Sequence, residues 1–364
     1  MKRLVLFMLV VFIFTACEEN QENEIQIGFV AGLNGKYSSL GTSIRDGFML
    51  AFDEIDYKID DKTIKIIQKD DKQDKKEAKK IIDSFIKNNI KIVVGNATSS
   101  MTDITFPIVN KQKDMLLFSV TASSQDFTGQ DDNFIRLQVE VSKKRYQILL
   151  DYLDKKGFKN IFFIYDSKNK SHMKGYEIIL QEEFIANGGN GFVNKFDTND
   201  NYDDLLKKMQ SSNYDLILIV ANSIDSANVI QYLKVNNINK PIIASGWAKT
   251  MDFITNGGKA VEGVFFSTAY NDDSNNEKFL KFREKFQKKY KKLPSVFAAQ
   301  GYETAQVLIK NLKKSKDISV LKKNILTKRK YDGLQGDIIF DKYGDVSREY
   351  FMMKVKNGKY VKVK

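Results

Sequence analysis

Two hydroxyl-rich turns carry the residues best suited to chemistry. Gly95-Asn96-Ala97-Thr98-Ser99-Ser100 follows the β-branched run Ile92, Val93 and Val94, and Ser119-Val120-Thr121-Ala122-Ser123-Ser124 follows Met115, Leu116, Leu117 and Phe118. Ser99 or Ser100 stands where a helix N-cap belongs, with Asp103 three residues beyond Ser100 and Ile104, Ile108 and Val109 at helical spacing. The free N–H groups of a helix's first turn and its positive dipole end favour an anion, and serine hydroxyls beside them would fix its orientation. The two turns therefore read as a carboxylate cradle. The plainer alternative is a pair of serine-rich loops that only cap helices.

Other reactive residue types are sparse. His172 is the only histidine, with no cysteine or second histidine near it, so neither a metal site nor a Cys/His pair can be built, and it reads as a pocket or surface side chain. Asp70-Asp71 and Asp131-Asp132 are paired carboxylates, but each pair is adjacent in sequence, whereas acid/base pairs come from separate elements; solvated turns are expected there. GxSxG, a Walker loop and GxGxxG are all lacking. The only tryptophan, Trp247, follows Gly246 and stands close to Lys249 in a turn, which suits a cleft better than a core, although a core position stays open. Binding without catalysis, metal or cofactor is the expectation.

The elements that must hold these residues alternate strand and helix from residue 24. Ile25, Ile27, Phe29 and Val30 make a first strand, and Gly32, Asn34 and Gly35 a flexible turn; Ile44, Phe48, Leu50, Ala51 and Ile55 recur on one helical face. Ile64, Ile66 and Ile67 give a second strand, and Asp74 with Glu77 forms a capping-box signal for the next helix. With the two runs before the serine turns, this makes four βα units and predicts a doubly wound parallel sheet, whose carboxyl edge binds ligands. A second series follows: a helix over 142–156, a strand over 161–165, a polar turn over 166–175, and strands at Phe192, over 216–220 and over 242–244, with helices between them. After residue 264 the chain becomes lysine-rich and helical, then ends in strand-like segments over 337–340 and 350–355.

The beginning of the chain decides its compartment. Lys2 and Arg3 precede an apolar run over 4–14 that is shorter than the roughly 20 residues needed to span a bilayer, so residues 1–16 read as an export signal. Cys17, the only cysteine, lies directly after Ala16, and Phe-Thr-Ala-Cys resembles a bacterial lipoprotein signal; Cys17 is then the lipidated first residue and residues 17–23 a short tether to the membrane. No disulfide within the chain is possible, and 364 residues exceed the size of one core, so two lobes are expected. The net charge of +12 comes from lysine spread over the polar faces of amphipathic helices, without an arginine- and aromatic-rich module; this argues against a nucleic-acid partner.

Five motifs in order resemble the type I periplasmic binding proteins of the leucine/isoleucine/valine-binding class: 28–35 with Gly41 and Gly47, 94–102, 119–123, 257–264, and 333–341 with Gly344-Asp345. The resemblance implies an α/β protein of two doubly wound Rossmann-like lobes joined by a three-strand hinge. The first lobe would take residues 24–139 and 269–336, the second 140–268 and 337–364, with ligand held in the closing cleft. It also implies that Ser99, the Thr121 backbone and Ser123 hold the ligand's carboxylate. At the second-lobe position where amino-acid binders place a carboxylate for the ammonium, this chain has Trp247, which can stack on a ligand but cannot neutralise a cation. Leu40 stands at the tyrosine position of the first glycine turn and His172 at a tyrosine-like position after Asp166. Asn222 or Ser223 follows the strand at Val220, and Asp225 is the nearest substitute acid.

Taken together, the expectation is an extracytoplasmic, lipid-anchored monomer that captures a small carboxylate-bearing solute, an amino acid or analogue, for an ABC-type permease. The rivals are a ligand sensor for a receptor, an extracytoplasmic enzyme and a passive adhesin.

Overall fold

The computed structural model describes residues 23–363. The signal segment 1–16, Cys17 and nearly all of the 17–23 tether lie outside the described residues.

The first apolar runs form a six-stranded sheet. Its strands are β1 (Glu24–Ala31), β2 (Lys58–Ile59), β3 (Lys62–Asp70), β4 (Ile92–Val94), β5 (Leu116–Ser119) and β6 (Phe134–Arg136), and helices α1 (Ser38–Asp53), α2 (Lys75–Lys87) and α3 (Ser99–Asn110) connect them. The order is β2-β3-β1-β4-β5-β6, parallel except for the β2–β3 pair. Asp74 caps α2 by accepting the Glu77 N–H at 2.8 Å, as its spacing predicts. Strand β6 has no counterpart in the sequence reading, because Phe-Ile-Arg is short and ends on a charge. Its Arg136 is fully buried and matched by Asp345 at 2.7 Å.

The second series builds a seven-stranded sheet. In chain order it comprises α4 (Lys143–Lys155), β7 (Asn160–Tyr165), α5 (Lys170–Gly175), α6 (Gln181–Ala186), β8 (Gly191–Asp197), α7 (Tyr202–Gln210), β9 (Leu216–Val220), α8 (Ser223–Val235), β10 (Ile242–Ala244), α9 (Met251–Gly257) and β11 (Phe265–Thr268). Helices α10 (Glu277–Tyr290), α11 (Val296–Leu312) and α12 (Ile318–Lys328) then return to the first lobe, followed by β12 (Lys330–Asp332), β13 (Asp337–Phe340), β14 (Val346–Ser347), β15 (Phe351–Lys356) and β16 (Lys359–Lys362). The second sheet runs β16-β15-β11-β10-β9-β7-β8, and β12-β13-β14 form a small sheet of their own. Apolar clusters cover both faces of each large sheet, as buried parallel strands require. Helices α1 and α11 pack so closely that a Cβ on Gly47 would lie 1.8 Å from the Ala298 carbonyl oxygen, which explains the glycine there.

The chain passes between the sheets three times, after β6, after β11 and after β14, so the two-lobed α/β architecture agrees with expectation. Two expectations need correction. Residues 337–347, expected in the second lobe, put Ile338, Phe340 and Val346 into the first-lobe core; only β15 and β16 complete the second sheet. A strand-like pattern cannot reveal which sheet it joins. The polar turn expected over 166–175 is largely helix α5, which continues through one π turn (Tyr176–Leu180) into α6.

Candidate ligand-binding cleft

In each large sheet the strand order reverses at one point, and loops leaving the two strands there diverge to open a crevice. The first sheet reverses between β1 and β4, the second between β7 and β9. These two switch points face each other, and the predicted residues gather around them.

On the first-lobe side the donors satisfy one another. The Ser123 N–H donates to Ser99 Oγ at 3.0 Å, Thr121 Oγ1 donates to the Ala97 carbonyl at 2.5 Å, and the Ala122 N–H donates to Ser119 Oγ at 3.0 Å. Asn96 is held between Asp71 at 2.8 Å and Thr105 at 2.6 Å. Gly95 adopts φ of 145°, and a Cβ there would lie 2.1 Å from the Val30 carbonyl oxygen, so only glycine brings β4 this close to β1. The expected solvated turns hold only in part: Asp131 is exposed, but Asp71 and Asp132 are buried, Asp71 against Asn96, Asp132 capping the Phe134 N–H at 2.9 Å.

Ser99 and Ser100 are not the N-cap of α3. Thr98 occupies that position without a capping bond, its hydroxyl being paired with the Gln73 amide, and the Ser100 N–H donates instead to Asn169 Oδ1 of the second lobe at 3.2 Å. Ser171 of α5 donates to Asp103, whose carboxyl is pushed up to about 6 by burial and then by Asp126. The helix start is thus closed by the opposite lobe, a partner no local pattern could show.

On the second-lobe side the surface is aromatic. Trp247 stacks on Tyr37 with ring centroids 6.2 Å apart and 7° between planes, and meets His172 edge-on at 5.8 Å. Although Trp247 follows β10, it packs into the first-lobe core cluster and is 7% exposed, so it is buried by lobe contact. His172 Nδ1 lies 3.0 Å from Ser123 Oγ, while its buried Nε2 has no partner. Burial, then the Arg145 charge, pushes the imidazole down to about 3, so the ring is neutral near pH 7. In the tautomer where Ser123 donates to Nδ1, the Nε2–H faces the cleft as a free donor.

The lobes are latched beside this surface. Tyr37 Oη donates to Asp166 Oδ2 at 3.0 Å, Lys36 Nζ pairs with Asp225 Oδ2 at 2.8 Å, and Ser39 Oγ donates to Thr250 Oγ1 at 3.0 Å. Burial, then the Asp166 carboxylate, raises the Tyr37 phenol and keeps it a donor.

Of the predicted site residues, Ser99, Thr121, Leu40, His172 and Trp247 line one narrow cavity of about 20 Å³, and Ser123 stands directly behind it on His172. That volume holds about one water, so an amino-acid-sized molecule needs the lobes to part. Asn222 and Asp225 are absent from the lining. Asn222 caps α8 through the Ile224 and Asp225 N–H groups, both at 3.0 Å, and donates to Asp225 at 2.7 Å, so the expected substitute acid is already occupied by Lys36 and Asn222. Arg145, Gln138 and Asn169 also line the cavity and carried no sequence signal beyond Arg145's place near a helix start; Tyr37, three residues before Leu40, reaches the site only behind the Trp247 ring on which it stacks. Larger hollows of about 360 and 410 Å³ lie at the lobe crossovers and along α11, away from both switch points.

Among the described residues no group of three histidine, cysteine or acidic side chains could hold a metal ion, and no helix is long and apolar enough to cross a membrane. Comparison with known proteins bears on what the cleft can hold. The sequence profile of the family described as "periplasmic binding protein" matches residues 24–359. The fold is similar to a branched-chain amino acid transporter substrate-binding protein, LivJ, from Streptococcus pneumoniae, solved with isoleucine (23% identity, 93% of this chain, 99% of that one, TM-score 0.83). A leucine-binding protein, LivK, from Thermotoga maritima shares 22% identity over 93% of this chain and 98% of its own, with TM-score 0.85. A solute-binding protein of an ABC transporter from R. palustris, solved with benzoate, gives 18% identity, 93% and 95% coverage, and TM-score 0.84.

Proposed function

The chain belongs to the periplasmic binding protein family, and from that premise we propose that it is an extracytoplasmic solute-binding lipoprotein serving an ABC-type permease. Residues 1–16 act as the export signal, Cys17 carries the lipid and residues 17–23 tether a monomeric two-lobed body to the membrane. The cargo is a small carboxylate-bearing solute, an amino acid or an analogue. It docks between the lobes with its carboxylate at Ser99, the Thr121 backbone and Ser123, and with Trp247, His172 and Leu40 against its body.

The observation that carries this reading is the meeting of the two switch points, bridged by Tyr37–Asp166 and Lys36–Asp225 around a cavity lined by donors from both lobes. Cross-lobe polar bonds of this kind can break and re-form as a hinge opens, and a ligand that bridges the lobes stabilises the closed state by its differential affinity. Relatives of the fold have been solved with isoleucine and with benzoate, so both zwitterions and simple acids are candidate cargo.

Native mass spectrometry of the purified protein, followed by calorimetry with the amino acids and small carboxylic acids, tests this. Saturable binding of one solute at a 1:1 ratio is the expected result. Turnover of a hydrolase substrate that disappears in Ser99→Ala would instead make the protein an enzyme.

A further inference from the structure

Among the described residues the buried Arg and Lys side chains come with carboxylates, apart from one. Arg136 is matched by Asp345, and Lys249, 1% exposed, by Asp272. Arg145, in the first turn of α4, is 5% exposed, yet among the described residues no carboxylate forms an ion pair with it. Its Nη1 donates to the Val139 carbonyl at 2.9 Å, and its guanidinium lies 5.7 Å from the centre of the Tyr350 ring. Glu140 acts on it only through its field. Guanidinium cannot shed its proton in a protein, and an unpaired buried charge is costly, so this one stands ready for a partner that the chain does not supply.

Its position says where that partner would come from. Arg145 lines the interlobe cavity together with Ser99, Thr121, His172 and Trp247. On its far side it lines a second cavity of about 10 Å³ with Tyr146, Tyr176, Ser245 and Ser267. Ser245 Oγ and Ser267 Oγ are buried there without a hydrogen-bond partner, and so is His172 Nε2 beside the interlobe cavity. Three polar atoms without partners thus belong to residues that share these cavities with a cation without a counter-charge, an arrangement that an anion's oxygens would complete. Neither cavity is lined by any aspartate or glutamate. An ammonium group entering the cleft would meet a fixed positive charge and no negative one, with Asp225 already held by Lys36.

We infer that Arg145 is the anion-binding residue of the second lobe and that the cargo is an organic acid without an ammonium group, its carboxylate, seated at Ser99 and Ser123, neutralised from across the cleft by the guanidinium and bonded by the neighbouring second-lobe hydroxyls. This rests on the proposed function, since it specifies the cargo of the same cleft.

The test is calorimetry on the purified protein and its Arg145→Gln variant with benzoate, succinate and glutarate on one side and leucine and isoleucine on the other. At least one amine-free acid should bind tenfold or more tightly than either amino acid. R145Q should lose tenfold or more of that affinity without a lower melting temperature, because it removes an uncompensated buried charge. Should R145Q not fold, Ser245→Ala, which deletes one hydroxyl, should weaken acid binding three- to tenfold at unchanged melting temperature; unaltered affinity there overturns the inference. Leucine or isoleucine binding best, with R145Q or S245A indifferent, also overturns it and leaves the binding-protein reading intact. If none of the five probes binds, the inference fails, and native mass spectrometry separates the two claims: a co-purified solute preserves the broader reading, and its absence removes that as well.

Discussion

The two faces of the cleft solve the same problem in opposite ways. The first-lobe face is a set of neutral bonds, in which the Ser123 N–H already has Ser99 Oγ and the Thr121 hydroxyl already has the Ala97 carbonyl as acceptor. The second-lobe face holds Trp247 and His172 in aromatic contact and Arg145 in burial, with several polar atoms unmatched. A satisfied face is rigid before ligand arrives, and an unsatisfied one gains most when ligand completes it. The difference suggests that the first lobe positions the cargo and the second lobe selects it.

The largest effect should come from the aromatic side. Trp247→Ala should weaken ligand binding by about 2 kcal/mol or more, the scale of a buried aromatic anchor at an interface, and, because the ring is buried by lobe contact, should lower the melting temperature as well. A collapse in melting temperature at normal affinity would make Trp247 a core residue and remove it from the comparison.

The first-lobe face is probed next. Ser99→Ala and Ser123→Ala should each cost about 1–3 kcal/mol of affinity if they bond a charged carboxylate, read by calorimetry. Unchanged affinity in both would shift all recognition to the second lobe.

His172 links the faces, and its burial has a pH signature. Its folded value is depressed to about 3 from an ordinary 6.5, so unfolding takes up a proton between those values. The stabilising contribution is complete above pH 6.5 and declines as pH falls toward 3, by at most about 1.4 kcal/mol per pH unit. Asp103, raised to about 6, acts in the opposite sense, because the folded state holds a proton that the unfolded chain releases. The difference between wild type and His172→Gln in denaturant titrations over pH 4–7 isolates the histidine. A pH-independent difference would mean the ring is not buried in solution.

The smallest effect belongs to the latch. The Lys36 side chain is 38% exposed, so solvent screens its pair with Asp225, and Lys36→Ala should cost no more than about 1 kcal/mol of closed state. A change in interlobe distance measured by fluorescence transfer, fading with added salt, is the expected readout.

Much of the fold was legible because its signals are local. Apolar runs separated by glycine turns announced most of the strands, and Asp74 with Glu77 announced the start of α2. The serine turns and Trp247 were legible as site candidates from residue type alone, and the structure brings Ser99, Thr121, His172, Trp247 and Leu40 to one cavity. The errors share a different origin. Strand β6 is three residues long and ends in a buried arginine whose partner is 209 residues away, so its pattern looks polar. The capping signal at Ser99 was real chemistry given to the wrong partner, since Asn169 across the cleft closes that helix start. Asp225 carried the right charge, but Lys36 had already claimed it.

By itself the sequence determined the alternation of strand and helix, the two-lobed α/β class and the hydroxyl-rich loops at the carboxyl edge of the first sheet. These depend on side-chain periodicity and on turn residues within a few positions of one another. Only the tertiary structure decided that residues 337–347 join the first lobe, that Lys36 and Tyr37 latch onto Asp225 and Asp166, and that Arg145 lies buried without a carboxylate beside the cleft. Each of these is a pairing, or its absence, between residues distant in sequence. A charge's solvation and partners are properties of the space around it, and that space exists only once the lobes have come together.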